Sequence, residues 1–128
     1  MPARLLVDTD VLVDYLRGQQ EAAEWLEGQA ADLFVSAITV AELFAGAMGE
    51  RENEVLDRFL IALEVLPATD DIGRLAGRYR RQYGPSHGTG LADALIAATA
   101  TVHRASLVTF NRRHFPMLDA VVVPHYRS

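Results

Sequence analysis

The segment Arg4-Leu5-Leu6-Val7-Asp8-Thr9-Asp10-Val11-Leu12 joins an apolar run to a helical start with no loop between them. An unbroken apolar stretch of this length fits a strand covered on both faces, because a sheet with one wet face would alternate polar and apolar residues. Asp8 ends the strand. Thr9 or Asp10 then offers a side-chain oxygen to cap a helix through Leu16, which Gly18 terminates. A strand that hands over to a helix in this way is the unit of an α/β fold, so the rest of the chain is read for repeats of it.

The repeats are there. Glu21 to Glu27 has helical spacing, with Trp25 and Leu26 facing inward. Leu33 to Val35 is a second strand, and Thr39-Val40-Ala41-Glu42 has the form of a capping box that opens a helix to about Met48. Gly49 breaks that helix, and Val55, Leu56, Phe59, Leu60 and Leu63 form a further helical stripe. Val65 and Leu66 make a short third strand. Thr69 or Asp70 caps a helix carrying Ile72, Leu75, Ala76 and Tyr79, which is expected to end near Tyr83. Gly84 to Gly90 is rich in turn formers and reads as a surface connection. Leu91 to His103 is apolar nearly all round and reads as a buried helix whose only carboxylate is Asp93. Leu107 to Phe110 is a fourth strand, and Ala120 to Val123 a fifth at an edge. The expected architecture is α/β, with a central, mostly parallel sheet of four to five strands flanked by helices in three layers, all in one domain spanning residues 1–128.

Composition narrows the chemistry. The 128 residues are half apolar, enough for one core. With no cysteine, a metal site has to use oxygen or imidazole ligands, and a reducing cytoplasm is the expected setting. The N-terminal apolar run is broken at Asp8, so neither an export signal nor a membrane span is expected there. A net charge of −5 argues against a broad basic surface that coats nucleic acid. All basic residues are arginine, and Arg78, Arg80, Arg81, Arg104, Arg112 and Arg113 fall in the C-terminal half. Arginine suits forked contacts to phosphate, but solvated helix faces and salt bridges are the better explanation for most of these residues.

In a parallel sheet, functional groups gather where strands end and the next helices begin. Asp8 follows the first strand, Glu42 opens the helix after the second, Asp93 opens the buried helix, and Asn111 follows the fourth strand. Three carboxylates brought together repel one another, and a divalent cation is the simplest compensation. Hard oxygen donors without cysteine select Mg²⁺ or Mn²⁺ over zinc, and such ions serve phosphodiester hydrolysis. Each acid also has a purely structural explanation. Glu42 fits a capping box, Asp10 fits an N-cap better than a ligand, and Asp8 fits cap and site equally. Asp93 is the most informative, since its helix has almost no other polar residue. No two of His87, His103, His114 and His125 have metal-ligand spacing, so they are read as surface or polar-network residues. Ser36, Thr9 and Thr109 have no base beside them and are read as hydrogen-bonding the carboxylates and backbone around the crevice.

Four segments then resemble a known family. Leu6 to Asp14, Ser36 to Leu43, Leu91 to Ala100, and Leu107-Val108-Thr109-Phe110-Asn111-Arg112-Arg113-His114-Phe115 resemble, in order and spacing, the VapC-type toxins of the PIN-domain family over essentially the whole chain. The resemblance implies a PIN fold, Mg²⁺- or Mn²⁺-dependent endoribonuclease activity, and inhibition by a VapB-like antitoxin. It further implies a homodimer, and binding to promoter DNA only through the antitoxin. The family's metal-binding aspartates correspond to Asp8 and Asp93, and its glutamate to Glu42, as base or further ligand. Asn111 stands where many PIN domains have a fourth acid; it is expected to orient water or a carboxylate. Thr9, Thr109, Arg112 and Arg113 are the candidate substrate contacts. Two rival readings remain at this level. Asp8-Thr9-Asp10-Val11 also resembles the nucleophile motif of haloacid-dehalogenase-like phosphatases, but their supporting lysine is missing because the chain has none. The other rival is a non-catalytic PIN-fold module that binds RNA or a partner.

Overall fold

The computed structural model describes residues 3–127. Five parallel strands form one sheet in the order β3-β2-β1-β4-β5: β1 (Ala3–Val7), β2 (Ala31–Ser36), β3 (Glu64–Leu66), β4 (Ser106–Val108) and β5 (Val121–Val122). The apolar run at β1 is explained by its place at the centre of the sheet. Leu5 and Val7 point into one core with Val35 and Val108, whereas Leu6 points into another with Phe34 and Leu107. Successive side chains on a strand alternate faces, so a strand buried on both sides has to be apolar throughout.

The first core is covered by α1 (Thr9–Leu16), α2 (Gln20–Glu27), α3 (Ala37–Ala45) and α4 (Glu50–Ile61), which contribute Val11, Leu12, Leu26, Leu43 and Leu56. The second is covered by α6 (Leu91–His103) through Ile96, Ala97 and Ala100. On the far side of α6 lies α5 (Asp70–His87), whose Ile72 and Ala76 meet Ala94 and Ala98. Small residues on both sides of α6 let the sheet and α5 approach closely. Three layers result, as expected.

Element boundaries differ from the sequence reading in three instructive places. Asp8, not Thr9 or Asp10, is the N-cap of α1: its Oδ1 accepts from the Thr9 N–H at 2.8 Å. The helix after β2 begins at Ala37, because the Ser36 hydroxyl accepts from the N–H groups of Ile38 and Thr39, each at 3.1 Å. Thr39 is therefore helix interior and fully buried, the capping box with Glu42 does not form, and Gly46 ends α3 before Met48. Helix α5 continues past Tyr83 and through Pro85 to His87. It stops at Gly88, whose φ of 67° is the left-handed conformation that glycine tolerates and whose N–H closes on the Gly84 carbonyl at 3.1 Å. The connection to α6 shrinks to three residues. Within it Thr89 is buried, donating its hydroxyl to the His114 carbonyl at 2.8 Å, so this stretch is not wholly a surface loop.

Candidate active site

The parallel sheet aims the C-terminal ends of β1, β2 and β4 at one edge, and the acids collect there. Asp8 follows β1, is only 5% exposed, and receives neutral donors alone: the Thr9 N–H, and the Thr109 hydroxyl on Oδ2 at 2.7 Å. Asp10, one residue into α1, turns towards the same loop. Its Oδ2 accepts from the Phe110 N–H at 2.9 Å and lies 3.4 Å from the Thr109 hydroxyl, and its Oδ1 accepts from the Val11 N–H at 2.8 Å. Asp10 is not the cap of α1, a role Asp8 fills, and its carboxylate joins the acidic centre. Asn111 supports this loop through its backbone N–H, which donates to the Thr109 hydroxyl oxygen at 3.0 Å.

Electrostatics follow from that geometry. Burial pushes the Asp8 carboxyl up to about 7, and the charges of Asp10 and then Asp93 add to the effect against the opposing hydrogen bonds from Thr109 and Thr9. Burial also raises Asp10, opposed by its backbone hydrogen bonds and by the Arg127 charge. No arginine bonds either carboxylate among the described residues.

Asp93 enters from the first turn of α6, where its Oδ2 accepts from the Gly90 N–H at 3.3 Å and stands 3.3 Å from His114 Nδ1. His114 is thus the histidine that joins the polar network. Glu42 lies on the exposed side of α3, and its Oε1 accepts from the Thr9 hydroxyl at 2.7 Å; Thr9 also sits 3.1 Å from the Thr39 hydroxyl. The structural explanation offered by the capping box is gone, and Glu42 instead reaches across to the residue beside Asp8. Arg112 and Arg113 are exposed in the 3₁₀ turn Arg112–His114, with no ion pair among the described residues. A groove of about 430 Å³, with Val13, Leu16, Leu43 and Leu56 along it, opens beside Glu42.

The acids converge on this rim without forming a closed three-ligand shell among the described residues. The arrangement concentrates negative charge around a carboxylate that resists ionisation, and it leaves hydroxyls and amides to hold the acids in place. Sequence reasoning passed over one further acid. Asp14 is 3% exposed on the inner face of α1 and is held by Tyr126 and Arg127. Its spacing from Val11 places it on the buried face, a signal that a partner was needed.

Residues 5–120 match the PIN domain model. The chain is 43% identical over 123 residues to Ribonuclease VapC10 of Mycobacterium tuberculosis, covering 94% of this chain and 92% of that one. It is 40% identical over 124 residues to Ribonuclease VapC19 of the same organism, covering 94% and 98%. Among solved structures, a toxin–antitoxin complex from Klebsiella pneumoniae contains a chain that superposes with a TM-score of 0.81 at 30% identity, covering 94% of this chain and 98% of that one. Fold, segment order and sequence agree, and the chain belongs to the PIN-domain family, as a VapC-type member.

Proposed function

We propose that Asp8, Asp93 and Glu42 are the reacting centre with which this VapC-type toxin of a type II toxin–antitoxin pair hydrolyses RNA phosphodiester bonds. The observation that carries the assignment is the Asp8 carboxylate, buried at the strand end beside Asp10 with only the Thr9 N–H and the Thr109 hydroxyl as donors. A centre built this way gains most from a cation. The carboxylates of Asp8, Asp93 and Glu42 are all hard oxygen donors, the chemistry that suits Mg²⁺ or Mn²⁺, which bind through one or two carboxylates and keep several waters. When bound, such an ion polarises a phosphate and makes a coordinated water more acidic.

The chain's own groups have separable tasks. Asp8 and Asp93 would hold the ion, and the Thr109 hydroxyl fixes the Asp8 carboxylate by donating to Oδ2. Glu42, with Oε1 occupied by Thr9, presents Oε2 to the attacking water and takes its proton. Water adds to phosphorus, the bond to the 3′ oxygen breaks, that oxygen takes a proton from solvent water, and Glu42 returns its proton to solvent, giving a 5′-phosphate and a 3′-hydroxyl. Asn111 orients water or a carboxylate, while Thr9, Thr109, Arg112 and Arg113 border the path of the RNA. The Klebsiella toxin–antitoxin complex supports an antitoxin as partner. In our reading that antitoxin is VapB-like, promoter DNA is engaged only through it, and the chain acts in the cytoplasm as a homodimer.

The test is RNA cleavage by purified, antitoxin-free protein. Activity should require Mg²⁺ or Mn²⁺ and stop with a chelator, and Asp93→Asn should lower the rate by at least about a hundredfold. Equal cleavage by wild type and Asp93→Asn removes the assignment, and products ending in a cyclic phosphate replace water attack with attack by the ribose 2′-hydroxyl.

A further inference from the structure

From the loop after β4, Asp8 and Asp10 accept the Thr109 hydroxyl and Asp10 also the Phe110 N–H, while the Asn111 N–H braces the Thr109 hydroxyl in turn; all three residues lie between the end of β4 at Val108 and the 3₁₀ turn starting at Arg112. Such a stretch is positioned by what its side chains touch. The large one is Phe110, and the C-terminal residues grip it. Arg127 lies over the ring with its guanidinium carbon 4.0 Å from the centroid, and the Tyr126 ring meets it edge-on, with centroids 5.3 Å apart and planes at 84°.

Both gripping residues are anchored by one buried carboxylate. Asp14 accepts from Arg127 Nε at 3.0 Å and Nη2 at 2.8 Å, a two-pronged fork, and from the Tyr126 hydroxyl at 3.0 Å. An apolar side chain would serve the core at this position with no desolvation cost. What the acid adds is a fixed address for a guanidinium and a phenol, and therefore for the ring between them.

We propose that Asp14 and Arg127 are positioning residues for RNA cleavage, acting through Phe110 to fix the turn that orients Asp8 and Asp10. The inference rests on the acidic-centre reading above, and its test separates the two. Full-length protein carrying Asp14→Asn or Arg127→Ala is assayed for kcat and KM on single-stranded RNA with Mn²⁺, and for amide hydrogen exchange in chelator. We expect kcat to fall roughly tenfold, the scale of coupling within one contact network, with KM changed by less than about twofold. The Phe110 amide should exchange faster while the Ile96 and Ala97 amides of α6 keep their protection. Arg127→Lys, which keeps the charge but loses the fork, should recover part of kcat. In a Phe110→Leu background, Arg127→Ala should cost nothing further. Unchanged kcat and Phe110 exchange in variants that lose thermal stability would reduce the clasp to a tether for the C-terminal residues. A full tenfold effect of Arg127→Ala in the Phe110→Leu background would overturn the route through the ring. Should Asp93→Asn cleave normally, the acidic-centre reading falls, while Phe110 exchange still reports on the clasp.

Discussion

Helix α1 carries two buried aspartates that live under opposite rules. Asp8 and Asp14 are 5% and 3% exposed, six residues apart, at the first and last turns. Asp14 receives a guanidinium fork and a phenol, and the hydrogen bonds from Arg127 and Tyr126 outweigh burial to hold its carboxyl below the ordinary value. Asp8 receives a hydroxyl and an amide, faces Asp10 and Asp93, and is pushed up to about 7. One carboxylate is paired for structure. The other keeps its charge uncompensated at the rim where strands end, and an unpaired buried charge costs stability that a purely structural residue would have no reason to cost. Asp8 is therefore the acid that a ligand should relieve.

The largest effect should come from neutralising it. In Asp8→Asn the amide oxygen can still accept from Thr9, and the Thr109 hydroxyl can reverse to serve the nitrogen or the oxygen. A shift from 3.8 to about 7 corresponds to on the order of 4 kcal/mol as an upper bound. Between these values the folded wild type binds more protons than the unfolded chain, so its stability falls as pH rises from about 4 to 7 and levels off above. Urea titrations should show that decline in wild type and a smaller one in Asp8→Asn, where the raised Asp10 remains; the variant should be the more stable protein at pH 8 while cleaving RNA at least about a hundredfold more slowly. Asp14→Asn should behave in the opposite sense. Its carboxyl is held low, so its contribution is present above the unfolded value near 4 and disappears as pH falls through the lower folded value. A wild type whose stability rises from pH 5 to 7 would contradict the contrast.

Cation binding should come next in size. Mn²⁺ at about a hundred times its dissociation constant adds roughly 2.7 kcal/mol to a folded state that alone binds it, enough to raise Tm by several degrees. Thermal melts with Mn²⁺ and with chelator should separate for wild type and coincide for Asp8→Asn. An equal shift in both would place the ion elsewhere.

The same contrast explains how much of the molecule was legible in the sequence. The order of strands and helices could be read because a doubly covered sheet forces continuous apolar runs, as at Leu5 to Val7, and because α6 has to be small and apolar to sit between sheet and α5. Boundaries failed where two signals competed. Ser36 took the capping role from Thr39 by lying two and three residues before the amides it accepts from, and Pro85 did not end α5 because the helix was already within one turn of its glycine stop. Asp8 and Asp93 were legible as acids at helix starts beside strand ends or in an apolar helix. The pairing of Asp14 with Arg127 was not, because the two are 113 residues apart and only the folded chain brings them together. Asp10 was read by its nearest turn, whereas its carboxylate bonds an amide 100 residues away.

The smallest expected effect tests the link that rescued Glu42 from a capping role. The Thr9 hydroxyl donates to Glu42 Oε1 at 2.7 Å from the residue next to Asp8, so it ties the exposed acid to the buried one. Thr9→Val keeps the β-branched shape and removes both the donor to Glu42 and the partner of the buried Thr39 hydroxyl. A single hydrogen bond to a partly exposed charged group contributes about 1 kcal/mol, so kcat should fall by roughly three- to tenfold. Water can satisfy the exposed Glu42 carboxylate, whereas the buried Thr39 hydroxyl loses its partner, so stability should fall by about 1 kcal/mol. Thr9→Ser, which retains the hydroxyl, should restore most of the rate, and the pH dependence of stability that Asp8 imposes should persist in both variants. If Thr9→Val cleaves RNA as fast as wild type, Glu42 does its work without this anchor, and the division of labour on α1 narrows to the two buried aspartates alone.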